Sequence, residues 1–243
     1  RRRGSAFLHA RAATRGSEEA LRALLILYPR YGRALRPHDA GVQTEMRRSG
    51  SAFTHDGWAC GAVESRWPEM QFQETRFSGA YIINPMVIDD ERGQMLRTFC
   101  IADFARKRLN AAFIQHFTSI IPTKGSIHGL TYTKPPHSMI RIVDCQAGAI
   151  CSVIVDLRPG SRTYGEWQSL ELKARSRRQL YVPDGIAFGL QTLVDDSAVG
   201  YLTSEFHAPD GVRGIRYDDP AFGIAWPLPV SEVLARDLRW PLF

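Results

Sequence analysis

The chain has 243 residues, is 44% hydrophobic and 23% charged, and carries a formal net charge of +6. This is globular composition with apolar material for one sizeable core, and it excludes collagen-like and wholly disordered classes. No run of 18 or more apolar residues occurs, so no membrane span is expected; Arg1, Arg2 and Arg3 lead into no apolar stretch of the signal-peptide kind.

The charge is lopsided. Residues 1–69 hold 12 Arg and no Lys against 7 acidic residues, whereas residues 70–243 hold 19 basic and 18 acidic residues. The basicity therefore belongs to the N-terminal segment, and no nucleic-acid partner is expected. Cys60, Cys100, Cys145 and Cys151 form no CxxC pair and read as reduced thiols of a cytoplasmic protein.

In chain order, residues 1–69 are rich in Arg, Ala, Gly and Ser. One helix is predicted at Glu18–Tyr28, capped by Ser17 and stopped by Pro29. The segment is expected to be a poorly ordered extension, or not part of the natural protein. From residue 70 the texture changes to short β-branched and aromatic runs. Predicted strands are Gly79–Ile83, Ile114–Ile121, Gly125–Tyr132, Ile140–Cys145, Ala149–Asp156, Gln168–Lys173, Gln179–Val182 and Ala198–Ser204. Pro122, Pro135-Pro136, Gly148, Pro159-Gly160 and Pro183-Asp184-Gly185 separate them. One helix is predicted at Ile101–Leu109 and a helical turn around Ser231–Leu238. Many short strands at this spacing predict an all-β sandwich, jelly roll or barrel over residues 70–243.

Several phrases in this region carry a resemblance. They are Asp90-Glu91-Arg92-Gly93, Phe113-Ile114-Gln115, His128-Gly129-Leu130-Thr131-Tyr132 with Pro135-Pro136-His137, and Val155-Asp156-Leu157-Arg158-Pro159-Gly160-Ser161 with Thr163-Tyr164-Gly165. Tyr181-Val182-Pro183-Asp184-Gly185, Arg213-Gly214-Ile215-Arg216-Tyr217-Asp218-Asp219-Pro220 and Gly223-Ile224-Ala225-Trp226-Pro227 follow. In order and spacing, residues 72–243 resemble the dTDP-4-dehydrorhamnose 3,5-epimerase family. The resemblance implies a cupin-like jelly roll, a homodimer, a dTDP-linked 4-keto-6-deoxyhexose substrate, and inversion at C3 and C5. It implies no metal or organic cofactor, and no nucleic-acid or membrane partner.

The chemistry requires a base to remove a hydrogen beside the C4 ketone and an acid to return one on the opposite face. The resemblance places the acid at Tyr201, an orienting carboxylate at Asp237, and the base at Thr131, where the family has His. A threonine hydroxyl has no titratable nitrogen near neutral pH. Arg92 and Gln115 match substrate-binding positions. His128, Arg141 and Phe188 occupy further substrate-binding positions: His128 stands for an Arg beside the diphosphate, Arg141 for a Lys and Phe188 for a second His. Phe117 stands for Asn, and Gln94 and Arg97 also depart from the pattern. His128 lies three residues from Thr131, which on a regular strand predicts opposite faces; a bulge would change that, and the resemblance implies that the side chain at this position reaches the substrate. Asp237, lacking an imidazole partner, is the other candidate base. A catalytically silent sugar-nucleotide-binding subunit is the alternative function.

Without the resemblance, Tyr201 reads as core, Asp237 as a solvated surface carboxylate and Arg92 as a turn residue. His128, His137 and His207 lack the spacing of a metal site.

Overall fold

A computed structural model describes residues 68–206 and 208–243. The helix expected at Glu18–Tyr28, most of the N-terminal segment and His207 lie outside the described residues. Thirteen strands and one short helix, α1 (Ile101–Arg106), make up the regular structure of the described part. Strands β1 (Gln71–Glu74), β2 (Tyr81–Asn84), β10 (Gln179–Val182), β7 (Arg141–Ala147), β12 (Ser197–Thr203) and β5 (Gln115–Ile121) form one sheet in that order. Strands β13 (Val212–Gly214), β6 (Ile127–Thr133), β11 (Ile186–Thr192), β8 (Ala149–Asp156) and β9 (Trp167–Lys173) form the second. Hairpin β3 (Met86–Asp90) and β4 (Gly93–Arg97) is a separate two-stranded ribbon. Among the described residues no helix is long and apolar enough to cross a membrane.

Period-two alternation fixes which side chains meet between the sheets. Val143, Cys145, Leu180, Val182, Val199, Ile150, Ile154, Phe188 and Leu190 form the interior cluster, with Tyr201 packed against it. The opposite face of the second sheet carries Leu130, Val153, Val155 and Ala187 under Tyr217 and Trp226. Strand β8 is buried at every position, because helixless layers cover both of its faces. On the outer face of the first sheet, Phe104 of α1 packs in an aromatic group with Phe72, Phe99, Phe113 and Tyr181.

This is the cupin-like jelly roll expected from the sequence, with differences in detail. The helix stops at Arg106 rather than Leu109, and the C-terminal turn is a 3-10 turn at Asp237–Arg239. Strands β1, β3, β4, β11 and β13 were not among the predicted elements. Central β11 eluded the alternation pattern because all seven of its residues are buried, Gln191 and Thr192 included. Their polar atoms are satisfied locally: Gln191 Nε2 donates to the Leu228 carbonyl at 2.9 Å, and Thr192 Oγ1 donates to the Thr123 carbonyl at 2.7 Å.

Candidate active site

Tyr201 sits in β12 opposite Val143 of β7 and Phe117 of β5, so all three face the barrel interior. The Phe117 ring stacks on Tyr201 with centroids 5.0 Å apart, and Phe188 meets Tyr201 edge-on at 6.3 Å. Burial pushes the Tyr201 phenol well above its ordinary pKa, opposed by the Arg141 cation. The phenol therefore keeps its proton throughout the neutral range.

Arg141 begins β7, two residues before Val143 and on the same face. It is 9% exposed, and its guanidinium lies over the Phe188 ring at 5.9 Å. Its Nε has no hydrogen-bond partner. Burial lowers its pKa, opposed by Tyr201 and Asp184. An Oδ1 oxygen of Asp184 is likewise buried without a partner. Gln115, two residues before Phe117 in β5, shares that interior face.

Strand β6 supplies the opposite wall, and its register is irregular. Phe188 pairs with Thr131, but Leu190 pairs with His128, so a bulge at Gly129-Leu130 absorbs one extra residue. Phe188 and Leu190 both face the interior. Thr131 and His128 therefore face it too, since directly opposed residues of an antiparallel pair share a face. The opposite faces expected of a regular strand do not apply here, because the strand is bulged between the two residues. Gly129 makes the bulge feasible: its φ is +92°, and a Cβ there would lie 2.7 Å from the Phe188 carbonyl oxygen.

Asp237 is 3% exposed, contrary to the surface reading that its position alone favoured. Its Oδ2 accepts the Gly129 N–H at 3.2 Å; its Oδ1 accepts Arg236 Nε at 3.1 Å and Trp240 Nε1 at 3.2 Å. The carboxylate thus clamps the bulge to the C-terminal segment. Gly214 pairs with Thr131, and a Cβ on Gly214 would collide with the Trp240 indole nitrogen. The indole therefore occupies the Thr131 face of β13 and gives Asp237 a ring N–H donor. Nothing in the local sequence pattern around Trp240 announces this contact.

His128 is exposed. Burial lowers its pKa, while Asp237 and then Glu232 raise it. Arg92 is set apart from these residues. It occupies the β3–β4 turn, where Nη2 pairs with Asp90 Oδ2 at 2.6 Å. Among the described residues no group of three His, Cys, Asp or Glu is placed to hold a metal.

The arrangement is a jelly roll with a half-buried tyrosine, a buried guanidinium whose Nε has no partner and an imidazole on facing walls, which is the layout of an acid–base sugar-modifying cupin. The family model for dTDP-4-dehydrorhamnose 3,5-epimerase matches residues 74–243. A dTDP-4-dehydrorhamnose 3,5-epimerase of Methanothermobacter thermautotrophicus is 37% identical over 177 residues, spanning 71% of this chain and 94% of the relative. The crystal structure of the Bacillus anthracis enzyme of that name, with TDP and PPi bound, superposes with a TM-score of 0.69 at 32% identity. The match covers 72% of this chain and 99% of that one. A 3'-monoepimerase from Streptomyces bikiniensis, in complex with dTDP-quinovose, matches with a TM-score of 0.66 at 28% identity, over 70% of this chain and 86% of that one. This chain belongs to the dTDP-4-dehydrorhamnose 3,5-epimerase family.

Proposed function

We propose that this chain binds a dTDP-linked 4-keto-6-deoxyhexose in the barrel and epimerises it at C3, at C5 or at both, through an enolate. The supporting observation is Arg141, a guanidinium 9% exposed with an unpartnered Nε beside Tyr201. A buried cation without an acceptor is costly, and the oxyanion that develops when a ketone becomes an enolate is the acceptor it lacks. Tyr201 is the acid: held protonated by burial, it delivers hydrogen to the carbon from the opposite side. Phe117 and Phe188 line the sugar pocket with apolar surface, and Gln115 supplies a polar side chain at the start of β5.

The working form is a cytoplasmic homodimer. Free Cys100, Cys145 and Cys151 suit a reducing compartment. The β3–β4 ribbon joins neither large sheet, and it leaves Val87 42% and Met95 52% exposed, as an arm that packs on a second copy would.

The test is hydrogen exchange. The protein is incubated with dTDP-4-keto-6-deoxyglucose in heavy water, and sugar C3 and C5 are followed by NMR. Deuterium is expected at one or both carbons, and Tyr201→Phe is expected to slow its entry by about 10²–10⁴-fold. Binding without exchange at either carbon overturns the enzymatic function and leaves the silent sugar-nucleotide-binding subunit.

A further inference from the structure

We infer that His128 is the general base that removes the sugar proton in this chain; the inference rests on the proposed epimerase activity. The bulge in β6 places its side chain on the same interior face as Thr131, opposite Leu190 where Thr131 is opposite Phe188. Adjacent positions on one strand face lie about 7 Å apart, within reach of a long or aromatic side chain. A base at His128 therefore serves the same pocket as one at position 131, approaching from one strand step along the wall.

The other candidates are excluded by their surroundings. Thr131 has no basic atom. Both oxygens of Asp237 already accept hydrogen bonds, from Gly129 N–H, Arg236 and Trp240. Trp240 also fills the Gly214 side of Thr131, so Asp237 is turned to holding the bulge. Tyr201 is kept protonated and Arg141 is a cation. His116 pairs with Leu202, next to Tyr201 in β12 and hence on the outer face. His137 packs against Gly211, beside β13.

The surroundings of His128 suit a base that must be neutral to act and must then release a proton. Its charged neighbours are Asp237, itself bonded to Arg236, and Glu232; from β11 and β8 it faces Leu190 and the uncharged Ser152. Ser152 Oγ is buried without a partner. The ring also meets solvent, which gives its proton an exit. In the step itself the C–H bond beside the ketone breaks and the proton goes to an imidazole nitrogen. The electron pair forms the enolate double bond, with the negative charge on the former carbonyl oxygen beside Arg141. Tyr201 then gives its phenolic proton to the other face of that carbon. Solvent reprotonates the phenolate, and the imidazolium returns its proton to water.

The experiment uses the full chain and the heavy-water assay, with kcat, KM and rate measured from pH 5.5 to 9. The unmodified protein is expected to lose rate as pH falls through the imidazole range, because protonation removes the base. His128→Asn is expected to lower kcat by about 10²–10⁴-fold and to abolish that acid limb. His128→Ala is expected to regain exchange when free imidazole is added, and His116→Asn to keep the full rate. Three results overturn the inference alone: His128→Asn retaining kcat and the acid limb, His128→Asn changing KM only, or imidazole failing to rescue a folded His128→Ala. If the unmodified protein shows no exchange, the epimerase activity itself fails.

Discussion

Asp156 has no exposed surface, yet its carboxylate accepts four side-chain donors. Arg158 Nε and Nη2 lie at 2.9 and 2.7 Å, Ser161 Oγ at 2.6 Å and Thr163 Oγ1 at 2.7 Å. Burial pushes its pKa up, but the bonds from Arg158, Ser161 and Thr163 together outweigh burial and hold it well below the usual carboxylate range. A folded-state pKa below the unfolded one means that the stabilisation is fully present above about pH 4 and is lost as pH falls towards the folded value. Asp156→Asn is expected to cost about 1.5–3 kcal/mol at pH 7, the usual worth of hydrogen bonds to a charged group, since the Arg158 left behind is partly exposed. It should also flatten the decline of the urea midpoint as pH falls below about 4. An equal decline in both proteins would show that this carboxylate is not the acid-sensitive group. The phrase Val155–Gly165 is visible in the sequence as a family element, and the structure gives its physical content: one buried carboxylate organising a loop. Asp237 is the contrasting residue. Its burial depends on Gly129, 108 positions away, and no local pattern reports that.

Elements were legible where hydrophobic pattern and turn chemistry agreed. Ala149–Asp156 and Gln179–Val182 have the bounds expected from their β-branched and aromatic runs, and most other predicted strands are displaced by one or two residues. The β3–β4 ribbon was hidden because Met86 is its only fully buried residue, and β13 because three residues carry no period. The β6 bulge was an open alternative that the sequence could not decide. It depends on a positive φ at Gly129 and on the carboxylate that binds its N–H, and a period-two count along the strand assumes neither. That one irregularity decides whether His128 belongs to the site. Gly129→Ala tests it at this scale. The added methyl meets the Phe188 carbonyl oxygen, and the backbone angle is unfavourable for any residue with a Cβ. The substitution is expected to destabilise the fold by about 1–3 kcal/mol and, in the folded fraction, to slow exchange as His128→Asn does. Urea unfolding and the heavy-water assay measure the two effects. An unchanged exchange rate would mean that the bulge does not set the geometry of the base.

At the scale of the whole molecule, the question is how much of the chain the barrel needs. Composition divides the sequence near residue 70, and the described contacts place the edge of the domain slightly earlier. Met70 is 4% exposed, and its N–H donates to Asp103 Oδ2 at 3.1 Å. The Pro68 carbonyl accepts Arg97 Nη2 at 2.7 Å, and Glu69 pairs with Arg106 at 3.1 Å. Asp103 is itself 2% exposed, and Arg97 and Arg106 both bond to it. Residues 68–70 thus complete a buried carboxylate network that joins β4 to α1, and a cut inside them leaves that charge short of a donor. We propose that residues 68–243 are the folding unit. A fragment of those residues is expected to sediment as a dimer and to melt within about 4 °C of the full chain, a difference of under about 1 kcal/mol for a domain of this size. A fragment beginning at Gln71 loses the Met70 side chain and its N–H bond, and is expected to melt well below both. If the 68–243 fragment aggregates or melts as early as the Gln71 fragment, the Arg-rich segment contributes to the barrel and the boundary lies further upstream.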